Sequence, residues 1–207
     1  MLIPLSGLFE HFKLNITGIL HIGAHECEEL NDYLKLGIKN ENIYWIEAME
    51  DKVNLMKKQK NIQIYQALID IEDDKEVKFN ITNNGQSSSI LELGSHKTHH
   101  PNIKIIDSKQ LKTTRLDTFI KKNKIPIEKL NFLNIDIQGK ELDALKSMEN
   151  YIDNVKYIYT EVNTEKVYKD CALLSEIDEY LDLKGFTRVA CQMWGPCGWG
   201  DAFYIKN

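Results

Sequence analysis

Apolar and polar positions follow two alternating rhythms through the first third of the chain. Residues 2–13, "LIPLSGLFEHFK", carry apolar side chains at helical spacing and predict a short amphipathic helix. "GILHI" at 18–22 is a continuous apolar run and predicts a buried strand. "EELNDYLKLG" returns to helical spacing and stops at Gly37, the place of a C′ glycine. "NIYWIEA" then predicts a strand ending at Glu47 and Ala48, "EDKVNLMKKQK" a helix, and "IQIYQALI" a third strand. This alternation predicts a parallel sheet flanked by helices.

The rhythm breaks between Asp70 and Arg115. "EVKFNIT" alternates as a strand does, "NNGQSSSILELGSHKTHHP" is polar and turn-rich, and "IKIIDSKQLKTTRL" is again strand-like, so a short β insertion is predicted around 76–115. The earlier pattern then resumes with the helix "LDTFIKKNK", the buried strand "LNFLNID" ending at Asp136, and the helix "GKELDALKSMENYI", which puts Leu142, Leu145, Met148 and Ile152 on one side. "VKYIYTEV" predicts a strand ending near Glu161, and the helix "LLSEIDEYLDLKG" stops at Gly185. The last two strands, "FTRVAC" and "DAFYIKN", are joined by "QMWGPCGWGD", which is rich in glycine and too short for a parallel crossover of about a dozen residues. They must run antiparallel.

Bulk composition narrows the class. A chain of 207 residues with 43% hydrophobic content can bury roughly 70% of its unfolded surface, enough for one full core, so a single domain spanning 1–207 is expected. No apolar run approaches the roughly 18 residues of a membrane span, and the opening residues lack a signal-peptide pattern, which predicts a cytoplasmic protein with no membrane span. The net charge of -5 and the short basic run "IKKNKIP" give no basis for a nucleic-acid partner. Cys27, Cys171, Cys191 and Cys197 have neither zinc-site spacing nor scaffold density and read as reduced thiols.

Candidate chemistry gathers at the predicted strand ends. After "GILHI" the chain turns through Gly23, Ala24 and His25 and then spends Glu26, Glu28 and Glu29 on what the pattern makes the first turn of a helix. Acids there would repel a pyrophosphate and instead suit the helix dipole or a cationic ligand. Glu47 follows Gly23 at nearly the spacing at which an acid meets ribose hydroxyls in dinucleotide-binding folds. Asp136 and Glu161 end the fourth and fifth core strands, where open α/β sheets bind ligands, although Asp136 also reads as a cap for the following helix.

Seven separated segments, "GILHIGAHECEE", "YWIEA", "QALID", "SSSIL", "TTRLDTFI", "FLNIDIQGKELDALKSM" and "IYTEVN", occur in an order and spacing that resemble the FkbM-family methyltransferases. "GWGDAFYIK" is similar to the ending of one subgroup. The resemblance implies an α/β, class I methyltransferase (Rossmann-like) fold, mostly parallel with an antiparallel C-terminal strand and helices on both faces. It also implies O-methylation, dependent on S-adenosyl-L-methionine, of a hydroxyl on a sugar, glycan or related small molecule. By position, Gly23, Ala24 and His25 would form the cofactor turn, Glu47 would bind the ribose, Ala67 and Leu68 would lie beside the adenine, and Asp136 would face the methionine end or the acceptor. His21 and Ala48, in the same segments, belong to the same expected cofactor site. The chain departs from the family pattern at His21, where an acid is common, at Cys27, where glycine is common, and at Glu47-Ala48, where "EP" is common.

Methyl transfer to an alcohol needs a group to take its proton, and Asp136, Glu161 and an insertion histidine, His100 with His96 and His99 as neighbours, are the candidates. Mg²⁺ held by Asp136, Glu161 and Asn163 or Asp201 is a further option that no spacing establishes. Trp194 and Trp199 offer flat faces to an acceptor, or pack on each other. An NAD(P)-dependent oxidoreductase and a non-catalytic Rossmann-like module are the rival readings.

Overall fold

The computed structural model describes residues 1–207. Its main sheet contains β1 (Ile19–Ile22), β2 (Ile43–Glu47), β3 (Gln63–Gln66), β7 (Phe132–Ile135), β8 (Tyr157–Asn163), β9 (Phe186–Met193) and β10 (Trp199–Lys206). The order across it is β3-β2-β1-β7-β8-β10-β9. β1, β2, β3, β7 and β8 run parallel, whereas β10 is antiparallel to both of its neighbours, β8 and β9. The short glycine-rich connection allows only this hairpin, and its end is closed by Trp194 N–H donating to the Trp199 carbonyl at 2.8 Å.

Side-chain alternation along the strands separates two apolar layers. Leu20, Ile22, Leu133, Ile135 and Ile158 point into a cluster covered by α5 (Leu116–Asn123), α6 (Glu141–Ser147) and α7 (Leu174–Leu183). Ile19, Ile43, Trp45, Phe132 and Phe203 point the other way, beneath α1 (Leu5–Phe12), α2 (Leu30–Lys35) and α3 (Glu50–Gln59). The expected helices on both faces are therefore present. From β1 the chain builds outward through β2 and β3, and later outward on the other side through β7 and β8. The carboxyl ends of β1 and β7, in register at Ile22 and Ile135, thus flank the point where strand order reverses.

The insertion forms a second sheet of β4 (Leu68–Ile69), β5 (Glu76–Thr82) and β6 (Ile105–Thr114), ordered β4-β6-β5. Here the structure departs from the single strand predicted over 62–69. That segment splits at Ala67, whose N–H donates to the Glu47 carbonyl at 3.0 Å, so its first half joins the main sheet and its second half starts the small one. The helix predicted over 28–37 is also shorter. Glu26, Glu28 and Glu29 precede α2, in a turn containing left-handed residues at His25 and Cys27 (φ 41 and 52). The polar loop before β6 holds one unpredicted helical turn, α4 (His96–His99).

Candidate active site

Gly23 decides how β1 ends. Its φ of +89° is left-handed, and a Cβ at this position would lie 1.7 Å from the Asp136 carbonyl oxygen. Only glycine permits so close a crossing. The turn is tied to β2 by Gly23 and Ala24 N–H donating to the Ile46 carbonyl. His25 N–H donates to Glu47 Oε2 at 2.7 Å, and Met49 N–H donates to Glu47 Oε1 at 2.8 Å. The Glu47 carboxylate thereby clasps the turns after β1 and β2 while each oxygen keeps a free lone pair. Burial raises its pKa, against the pull of these backbone donors.

Beside this clasp lies a narrow slot of about 60 Å³, walled by Glu47, Ala48, Ala67, Leu68, Phe79 and Ile137 among others. Gly23, His25, Gln86, Asp136 and Gln138 line both this slot and a larger cavity of about 450 Å³. His21, Asp136, Glu161 and His100 line the larger cavity, so the structure brings the three expected catalytic groups to one space. Ala24 lines neither. It is 1% exposed and packs into the core behind the turn.

The cavity floor is a buried polar row. His21 Nδ1 lies 3.0 Å from Tyr33 Oη, which accepts from Asn134 Nδ2 at 2.7 Å. The Tyr33 hydroxyl thus links the His21 imidazole to Asn134. The ring stacks on Trp45 at 4.6 Å, and burial pushes its pKa down to about 4, so it is neutral.

The acidic wall is organised by a residue that the sequence did not flag. Gln138 Nε2 donates to Asp136 Oδ1 at 2.5 Å and to Glu161 Oε2 at 2.6 Å, and Gln138 Oε1 accepts from Tyr168 Oη. Burial, and then the neighbouring Asp136, Glu141 and Asp201, hold Glu161 well above the usual carboxylate range. Asp201 faces Glu161 across the β8–β10 pair and accepts from Leu2 N–H and Tyr159 Oη. The alternative reading of Asp136 as a helix cap is corrected. No side chain caps α6; Glu141 at its start instead ties down the preceding loop by accepting from Ile137 and Gly139 N–H, and its full burial pushes its pKa up to about 7. An acid two residues after a glycine at a helix start was the available signal.

The roof comes from the insertion. Gly94, Ser95 and His96 donate their N–H groups to the Val167 and Lys166 carbonyls, which straps α4 over the cavity. His96 is 6% exposed, its ring lies 4.9 Å from that of His100, and burial lowers its pKa to about 4. Trp199 Nε1 donates to His100 Nε2 at 3.3 Å, which assigns the His100 proton to Nδ1. His99 is absent from the cavity lining and pairs with Glu165 at 2.7 Å. Trp194 and Trp199 stack on each other at 5.8 Å, and of the two only Trp199 lines the cavity.

The oxygen ligands considered for Mg²⁺ do not assemble: no group of three or more His, Cys, Asp or Glu is placed to hold a metal ion, and Asn163 is fully buried away from the cavity. The four cysteines are free thiols. No helix is long and apolar enough to cross a membrane.

A family model described as a methyltransferase FkbM domain matches residues 21–188. The chain belongs to this family, a class of S-adenosylmethionine-dependent methyltransferases. Among solved structures, an FkbM methyltransferase from Methylobacillus flagellatus is 14% identical with a TM-score of 0.56, and the match covers 91% of this chain but 43% of that one. A Streptococcus pneumoniae protein, provisionally assigned as a tRNA (m1A22) methyltransferase and bound to S-adenosyl-L-methionine, is 13% identical with a TM-score of 0.52, covering 100% of this chain and 74% of that one. The magnesium protoporphyrin IX methyltransferase of Synechocystis, bound to S-adenosylhomocysteine, is 6% identical with a TM-score of 0.54, covering 98% and 80%. At such identities these likenesses establish the class I methyltransferase fold. No curated protein sequence matches.

Proposed function

We propose that this chain transfers a methyl group from S-adenosylmethionine to a hydroxyl of a sugar, glycan or related small molecule. The observation that carries this reading is the adjacency of the two spaces: a slot beside Glu47 shares five lining residues with a cavity lined by Asp136, Glu161 and His100.

The residues present fit the cofactor. Gly23 lets the turn after β1 cross close to Asp136, and His25, which lines the slot, has its Nε2 buried without a partner. Glu47 would accept from the ribose hydroxyls, Ala48, Ala67 and Leu68 would flank the adenine, and Asp136 would face the ammonium of the methionine end. S-adenosylmethionine supplies a methyl group on a sulfonium, which leaves by in-line displacement, so positioning of the acceptor oxygen does much of the work.

The acceptor proton must also be removed. Glu161 suits this task, because Gln138 engages its Oε2 and leaves Oε1 free, and its raised pKa makes it a stronger base than an ordinary carboxylate. His100 is less suited in the tautomer imposed by Trp199, since its one basic nitrogen already accepts a hydrogen bond. His100 instead orients the acceptor beneath α4.

Thermal denaturation with S-adenosylhomocysteine or NAD tests the reading, because only a ligand of the native state raises its stability. The expected result is a rise with S-adenosylhomocysteine alone. Stabilisation by NAD alone would favour an oxidoreductase.

A further inference from the structure

The walls of the larger cavity carry five carboxylates, Glu28, Glu29, Asp136, Glu161 and Asp201, and no lysine or arginine side chain. The cationic group beside this wall is the Met1 amine, 4.0 Å from Glu29. Most of these acids are held by neutral donors: Gln138 bridges Asp136 and Glu161, while Tyr159 and the Leu2 N–H hold Asp201. Glu161 and Asp201 are each 6% exposed, so solvent screens them poorly. Of the four histidines that line the cavity, His21 and His96 are neutral, and His25 is already engaged by Glu28 at 2.7 Å.

A second observation points to a ligand. His96, itself 6% exposed, stands on the cavity wall with Nδ1 buried and unpartnered, and an unmade hydrogen bond of this kind costs free energy until something fills it. Trp199 adds a flat apolar surface to the same space. Bound S-adenosylmethionine contributes one net positive charge, fewer than the carboxyl groups that the wall presents.

We infer that the acceptor is a hexose-sized polyol that bears an amine and no phosphate, sulfate or carboxylate. This rests on the reading of the cavity as an acceptor site. A phosphate or carboxylate brought among desolvated acids would meet repulsion with no lysine or arginine side chain to offset it, whereas an ammonium meets attraction from several sides. The hydroxyls find donors and acceptors in Ser87, Asn84 and Gln86, and one sugar face can lie on Trp199.

The test is calorimetric titration of the full chain, saturated with S-adenosylhomocysteine, with glucosamine, glucose, glucuronate and glucose 6-phosphate. Glucosamine should bind about tenfold more tightly than glucose, and the two anions should give no detectable heat. An anion binding as well as glucosamine overturns the inference, and so does a failure of all four sugars to bind. If S-adenosylhomocysteine itself binds in that last case, the methyltransferase reading stands and only the acceptor class falls. Asp201→Asn retains an oxygen acceptor for Tyr159 and Leu2, and it should reduce the preference for glucosamine over glucose several-fold. Glu29→Gln provides an independent removal of charge should Asp201→Asn fail to fold. An unchanged preference in a folded variant overturns the inference.

Discussion

Replacing Glu47 by Gln keeps its shape but leaves one amide group facing a backbone N–H where a carboxylate oxygen had accepted. Both oxygens are in use, from His25 on one side and Met49 on the other, so the substitution unpairs a buried donor and removes the charge offered to the ribose. We expect Glu47→Gln to weaken S-adenosylhomocysteine binding by about 1.5–3 kcal/mol, roughly 10- to 150-fold, as read by calorimetry. Unchanged affinity would reduce Glu47 to a structural clasp. The role of His21 is legible in its pH response. Its pKa falls from 6.5 to about 4 on folding, so between those values the unfolded chain binds the proton that the folded chain refuses. Stability should therefore fall as pH drops through this window, by about 1.4 kcal/mol per pH unit from this residue. His21→Gln should flatten the slope of urea-derived stability by that amount between pH 6 and 4.5, and an unaltered slope would show that the imidazole already titrates when folded. Gly23 and Glu47 were readable in the sequence because glycine and an acid at strand ends are local signals. Gln138 and Tyr168 were not, because their importance arises where three elements meet and no period marks it.

At the scale of elements, the sequence revealed what its hydrophobic periods encode and missed what backbone contacts decide. The five parallel strands and the terminal antiparallel pair are marked by apolar patterning and by the length of their connections, whereas the split at Ala67 depends on one hydrogen bond to the neighbouring turn. The α4 strap was equally hidden: "LGSHKTHH" reads as polar loop, yet three of its N–H groups are anchored on the chain following β8. Gly94 makes that anchorage feasible, since a Cβ there would lie 2.1 Å from the Lys166 carbonyl. Gly94→Ala should lift the strap and displace His96 and His100. The expected outcome is a loss of acceptor turnover of at least about tenfold, a cost of about 1.4 kcal/mol in transition-state stabilisation, with S-adenosylhomocysteine affinity nearly unchanged. Equal losses in both would mean that the strap also supports the cofactor slot.

For the whole molecule, the question is whether the insertion is a unit in its own right. Its small sheet begins where β3 ends and leads directly into α5, and Ile69 and Leu116, at those two junctions, lie in the same buried cluster as the main-sheet residues Leu20 and Leu133. The loop ahead of β6 contributes Leu93 to a cluster with Val167, Tyr168 and Cys171, all from the segment after β8. Much of β6 is exposed, and the small sheet does not bury a cluster of its own. An isolated sheet of this size lacks the apolar burial needed to stand alone. We therefore propose that the chain folds as one domain, with the cofactor slot at the seam between the two sheets. Scanning calorimetry should show a single transition whose calorimetric and van't Hoff enthalpies agree, at about 0.7 kcal/mol per residue near 60 °C. Adding S-adenosylhomocysteine at 100 times its Kd should move that whole transition, by about 2.7 kcal/mol of stability, without splitting it. A separate low-temperature transition that disappears when residues 76–114 are replaced by a short linker would show instead that the insertion melts on its own. The strap and the slot would then be coupled to the sheet only through the cofactor.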